Sequence, residues 1–279
     1  MCDADRVRSV AGQGGARGKE RATVRIDTSK PHPARIYDYL LGGKDHYPVD
    51  QEAGEALAAA APEARMGVRA NRDFLHRAVR HAVQSGVRQI LDIGAGLPTS
   101  PNVHEIAQDL TGGVRVAYVD NDPIVKAHGD ALLRGEGPTS IVLADVREPR
   151  GILDHPDVRR VIDFAEPVAL CLVAVLHFLT DAERPERIVA ELRDALAPGS
   201  MLILSHATGD FADRRDAQAV YGQATATLNL RPRARVEAFL DGFTLVDPGL
   251  VQCPDWRPDT TPPAGSERIG FYGAVGRKD

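Results

Sequence analysis

Three carboxylates, a glycine-rich turn and a histidine all stand at the ends of apolar runs in this sequence. Residues 91–99, LDIGAGLPT, join a strand to a turn in which Gly94 and Gly96 carry no side chain. Glycines there let a ligand approach the backbone, with Asp92, Ala95 and Leu97 beside it. In doubly wound sheets such turns lie at the carboxyl ends of strands, where ligands bind. Alone, the turn is weak evidence, because a plain strand-to-helix connection can take the same form. Asp120 closes VRVAYVD about 28 residues after Asp92. A carboxylate there can accept both hydroxyls of a ribose. Its other possible task, capping the next helix, suits Asp122 better, because Asp122 directly precedes Pro123. That leaves Asp120, with its neighbour Asn121, for the ligand. Asp145, in LADVR, ends a further strand. Its carboxylate can take an exocyclic amine, and Val146 can offer its N–H to a ring nitrogen; an ordinary turn is the competing reading. His177, in AVLHFLTD, leaves the most apolar run. It is the candidate catalytic group, as a base or as the group that orients a second substrate. The bland alternative is a histidine that hydrogen-bonds a loop.

These residues need strands beneath them, and the chain alternates strands with helices. QILDIGAG, VRVAYVDND, TSIVLADV, VALCLVAVL and SMLILSHA read as strands. NVHEIAQDL, PIVKAHGDALL and AERPERIVAELRDAL read as helices between them. TLVDPGLVQ and RIGFYGAVG add two closing strands joined without a helix, so they can pair antiparallel at one edge. This rhythm predicts an α/β fold with a doubly wound, mostly parallel, seven-stranded sheet. A polar helix is expected from about Asp210 to Asn229.

Upstream, residues 1–28 carry few large apolar side chains and read as a mobile tail. Residues 29–70 read as an N-terminal helical cap, and residues 71–279 as the ligand-binding domain. In the cap, RIYDYLLGGKDHY combines tyrosines with a double glycine, Gly42 and Gly43. It can fold over a ligand as a lid or lie on the surface. Asp45 and His46 are adjacent and without partners at helical spacing, so no metal site is expected.

Composition narrows the class. The 279 residues carry 34 basic and 39 acidic side chains, a net charge of −5, so nucleic acid is not the expected partner. Three cysteines, Cys2, Cys171 and Cys253, show no paired spacing. The longest apolar run, residues 168–179, is shorter than the roughly 20 residues that span a bilayer. No membrane association is expected, and the N-terminus has no signal peptide, which points to the cytoplasm. No heptad or exposed apolar stripe sets an oligomeric state.

Taken together, LDIGAG, YVDND, LADV, VLHFL and LAPGSMLILSH resemble the class I S-adenosylmethionine-dependent methyltransferases from about residue 70 onward. More narrowly, RIYDYLLGGKDHYPVD with DIGAGLPTSPNVHEIAQ resembles an actinobacterial S-adenosyl methyltransferase family long carried as a domain of unknown function. The resemblance implies a Rossmann-like fold and S-adenosylmethionine as cofactor. It implies that Asp92, Gly94, Ala95, Gly96 and Leu97 hold the methionine end. Asp120 and Asn121 would take the ribose, Asp145 and Val146 the adenine, and Ala174 and Val175 the floor beside the sulfonium. Tyr37 and Gly43 would close over the cofactor, with the tyrosine face near the cation. Pro98 stands where many class I enzymes have a third glycine. The acceptor is expected to be a small molecule, methylated at oxygen or nitrogen and gripped by the cap and residues 209–229. Two other readings compete. A module that binds the cofactor without turning it over would carry the same residues. A nicotinamide-dependent oxidoreductase is disfavoured because Thr99 replaces the third glycine of G-x-G-x-x-G.

Overall fold

A computed structural model describes residues 27–133 and 138–279. Most of the expected tail, residues 1–26, lies outside the described residues. Three helices come first: α1 (Pro33–Leu41), α2 (Pro48–Ala60) and α3 (Ala64–Gln84). Then follow β1 (Gln89–Ile93), α4 (Val103–Leu110), β2 (Arg115–Asp120), α5 (Pro123–Leu132) and β3 (Thr139–Leu143). Two short helices, α6 (Pro149–Leu153) and α7 (Pro156–Arg159), lead to β4 (Ala169–Val173). The second half holds α8 (Pro185–Asp194), β5 (Met201–Ala207), α9 (Arg215–Tyr221) and α10 (Arg233–Glu237). It closes with β6 (Thr244–Leu245), β7 (Val251–Gln252) and β8 (Phe271–Arg277).

The sheet order is β3-β2-β1-β4-β5-β8-β6, with β7 also on β8. β1 to β5 run parallel, and β8 pairs antiparallel with β5. The order reverses between β1 and β4, and the open crevice at such a switch point is where doubly wound sheets bind ligands. Alternation along the strands feeds two cores. Ile90 and Cys171 face one, with Phe74, Val79 and Trp256. Leu91, Leu170 and Leu172 face the other, with Ile188 and Leu192. A third apolar cluster joins α1, α2 and α9 through Ile36, Leu40, Leu57, Ala217 and Tyr221.

Local chemistry sets the helix ends. Asp122 caps α5 by accepting the Ile124 N–H, and Pro123 opens the helix without needing a donor. Gly42, at φ 89°, ends α1 in the left-handed region. Three expectations are corrected. The polar helix from Asp210 to Asn229 shrinks to α9, because Gly222 and small or polar residues after it give no apolar stripe to bury. TLVDPGLVQ breaks into β6 and β7, because Pro248 lacks a ladder N–H and Gly249 sits at φ +83°. α3 begins at Ala64, so one continuous helix crosses the boundary drawn at residue 70.

Candidate functional site

A cavity of about 310 Å³ opens over the carboxyl ends of β1 to β4. It brings together Asp92, Gly94, Ala95, Gly96, Leu97, Asp120, Asn121, Asp145, Val146, Ala174, Val175, His177 and Tyr37. Of the residues singled out by sequence, Gly43 is not in its lining. Its N–H donates to the Asp38 carbonyl, and a Cβ there would lie 1.9 Å from Asp38 Oδ1. Gly43 therefore shapes a turn against Asp38 rather than touching the cavity.

The floor is a backbone construction. Gly94 donates its N–H to the Val119 carbonyl at 2.7 Å, which ties the turn after β1 to the end of β2. At φ +77°, its missing Cβ would meet Val175 Cγ2 at 2.1 Å. Gly96, at φ +68°, has nothing within 4 Å of its Cβ position, so the space beside it is open to a ligand. Ala174 holds a left-handed φ of 57° at the end of β4. Such an angle is costly for a residue with a Cβ and concentrates at binding sites.

The carboxylates differ in their partners. Asp120 accepts the Gly96 N–H at 2.8 Å through one oxygen and the Asp122 N–H at 2.9 Å through the other. Burial nevertheless raises its pKa to about 6. Asp92 is 4% exposed, accepts no hydrogen bond among the described residues, and is pushed up to about 7 by burial, with Asp120 adding to the shift. Arg72, which also lines the cavity, opposes that shift. Asp145 is more exposed and accepts from Arg147 N at 2.9 Å and Asn121 Nδ2 at 3.2 Å, which links the ends of β2 and β3.

His177 accepts the Ala207 N–H at Nδ1, 3.1 Å away. Burial, with help from His206 and Arg231, holds its pKa well below the ordinary histidine value. The ring is therefore neutral with its proton on Nε2. It can donate to a ligand and is not placed as a proton acceptor. His206, which lies within β5, is not in the cavity lining. Its Nδ1–H donates to Ala207 O and its Nε2 accepts from Arg231, which also donates to the Leu176 and Leu179 carbonyls.

Sequence reasoning passed over the residues that join floor to roof. Ser205 Oγ accepts the Ala174 N–H at 2.9 Å and donates to Asn71 Oδ1 at 2.5 Å. Asn71 Nδ2 donates to Tyr37 Oη at 2.9 Å, and Tyr37 donates to Val68 O at 2.9 Å. Burial raises the Tyr37 phenol to about 12, so it stays protonated and is not a base. The one signal for this chain of bonds was Asn71 itself, a polar residue on the buried face of α3. Arg35 was also missed. It lies between the buried carboxylates of Asp122 (2.8 Å) and Asp50 (3.9 Å) and fastens α1 to the head of α5. Arg214 pairs with Glu63 and ties the segment before α9 to the start of α3.

Among the described residues, no helix is long and apolar enough to cross a membrane, and no group of three or more His, Cys, Asp or Glu side chains could hold a metal ion. Comparison with known proteins adds the lineage. The crystal structure of a DUF574 family protein from Streptomyces avermitilis MA-4680 is 45% identical. It superposes with a TM-score of 0.87 over 91% of this chain and all of that one. A candidate methyltransferase from Thermobifida fusca YX is 39% identical, with a TM-score of 0.85 over 91% of this chain and 97% of its own. A candidate S-adenosyl-L-methionine-dependent methyltransferase of Parafrankia sp. (strain EAN1pec) is 28% identical over 67% of this chain, a match that spans 61% of that relative's length. Residues 19–279 match the S-adenosyl methyltransferase family, and the chain belongs to it.

Proposed function

We propose that the chain transfers a methyl group from S-adenosylmethionine to a small-molecule acceptor. The observation that carries this reading is the floor of the cavity. It offers an unpartnered carboxylate at Asp92, open space at Gly96 and a second carboxylate at Asp120. That donor set fits the group: Asp92 suits the ammonium of the methionine end, Asp120 the ribose hydroxyls, and Asp145 with Val146 the adenine. When bound, S-adenosylmethionine supplies a methyl group already activated on a sulfonium.

The chain's own contribution is alignment and exclusion of water. Ala174 and Val175 hold the floor beside the reacting end, and the Ser205–Asn71–Tyr37 bonds fix that floor to the cap. Holding two reactants in line can contribute on the order of 7–11 kcal/mol at best. His177 orients the acceptor by donating from Nε2. A small acceptor is supported by the size of the cavity, about 310 Å³, at the low end of the roughly 300–1,000 Å³ of small-molecule sites. The test is methyl-labelled S-adenosylmethionine offered with small molecules, protein and RNA in parallel. Label appearing in small molecules is expected; label appearing only in protein or RNA contradicts the reading.

A further inference from the structure

We infer that the acceptor is a largely apolar small molecule carrying a weakly acidic hydroxyl, of phenol or enol type, and that transfer is to its oxygen. The inference rests on the methyl-transfer reading and names the substrate class of the same site. The half of the cavity away from the glycine turn is lined by Leu40, Leu57, Val68, Phe178, Tyr221 and Phe271. The charged groups on that side already have partners. Arg214 pairs with Glu63, and the Asp38 carboxylate accepts the Asp45 N–H and lies 3.0 Å from His46 Nδ1. An acceptor with a permanent charge away from its reacting atom would find no free counter-charge there, and burying it unpaired is costly; a negative charge on the reacting oxygen itself would instead face the sulfonium.

Two polar hydrogens on that side meet no partner among the described residues, those of the Tyr221 hydroxyl and of the His177 ring. Because Nδ1 of His177 is taken by the Ala207 N–H, the ring proton sits on Nε2, which meets no partner among the described residues. A donor in that position selects oxygen over nitrogen. An oxygen can accept from Nε2–H and keep a second lone pair for the methyl carbon, whereas an amine nitrogen has only one lone pair. No group on that side is placed to take a proton: His177 Nδ1 is occupied, and Tyr37 and Tyr221 are held protonated by burial. The hydroxyl must therefore ionise to solvent first, which a phenol with a pKa of about 10 or lower can do and an aliphatic alcohol cannot. In the step itself the oxygen–methyl bond forms, the carbon–sulfur bond breaks and its electron pair passes to sulfur, leaving a neutral ether and a neutral sulfide.

The test uses three probes with one ring system, 2-naphthol, 2-naphthylamine and 2-naphthoate, with the full chain and S-adenosylmethionine. Binding of S-adenosylhomocysteine is measured alongside. Methylation of 2-naphthol at oxygen is expected, with a rate that climbs tenfold per pH unit below the naphthol pKa. His177→Phe should lower kcat/KM for 2-naphthol about tenfold to a hundredfold, with S-adenosylhomocysteine affinity unchanged. His177→Gln, which keeps an N–H, should recover part of that loss. Preference for the amine or the carboxylate overturns the inference. So does an unaffected His177→Phe enzyme, or no turnover of any probe by protein that binds S-adenosylhomocysteine. Failure to bind S-adenosylhomocysteine at all would remove the methyl-transfer reading itself.

Discussion

Gly94, Gly96 and Ala174 shape the floor of the cavity through their own backbone angles. Arg35, Tyr37 and Arg214 hold the roof through partners far away in the chain, 87 residues distant for Arg35–Asp122 and 151 for Arg214–Glu63. The floor is thus a local solution, written into short runs of sequence. The roof exists only when distant segments dock. Damage to the floor should abolish ligand binding with a variable cost in stability, whereas damage to the roof should cost stability first.

The largest expected effect breaks the roof. Arg35→Ala leaves Asp122 and Asp50 buried without their shared cation, and removing one partner of a buried pair costs about 3–5 kcal/mol. Urea denaturation should show that loss, and a change under about 1 kcal/mol would mean that the cap is not held this way. Next come the two floor glycines. Gly94→Ala adds a left-handed Cβ that collides with Val175, about 2–5 kcal/mol in all. Gly96→Ala meets nothing, so only the roughly 1–2 kcal/mol backbone cost applies, yet its methyl occupies ligand space. Both should lose S-adenosylhomocysteine binding. If Gly96→Ala binds normally, the open space beside it is not the ligand's.

Asn71→Ala probes the connection between the two regions. It removes the partner of both Ser205 and Tyr37, worth about 1–3 kcal/mol in stability. Because Ser205 also braces Ala174, affinity for S-adenosylhomocysteine should fall more than affinity for methylthioadenosine, which lacks the amino-acid end. Equal losses would make Asn71 a packing residue only.

A further effect is with pH. Asp92 and Asp120 have folded pKa values raised to about 7 and about 6 from an ordinary 3.8. A raised carboxyl binds its proton more tightly in the folded state. Its contribution to stability is therefore full below pH 4 and is lost as pH rises through 6 to 7. Ligand-free protein should lose stability over that window, and Asp92→Asn should flatten the loss. Affinity for an ammonium-bearing ligand should move the other way, rising as Asp92 ionises. A pH-independent affinity would remove Asp92 from that role.

The same contrast governs what sequence could tell. The strand-end positions of the carboxylates and the capping of α5 by Asp122 were legible, because each depends on neighbours within a few residues. Trp256 packing on Phe74 was not, nor the bonds from Ser205 to Asn71 to Tyr37, since nothing local records a partner 134 residues away. His177 was found by its place after a strand, but its tautomer depends on the Ala207 N–H of another strand. The stretch after β5 was read as one long helix because its polarity resembles a surface helix, though only its α9 part carries apolar residues, Ala217 and Tyr221, that dock.

Calorimetric titration of the full chain with S-adenosylhomocysteine, with NAD and Asp120→Ala as controls, tests the central claim most directly. The account predicts binding in the micromolar range, roughly −8 kcal/mol, absent for NAD and lost in Asp120→Ala protein that still unfolds cooperatively. Folded wild-type protein that ignores the nucleoside, or a variant that binds it as well as wild type, would contradict it.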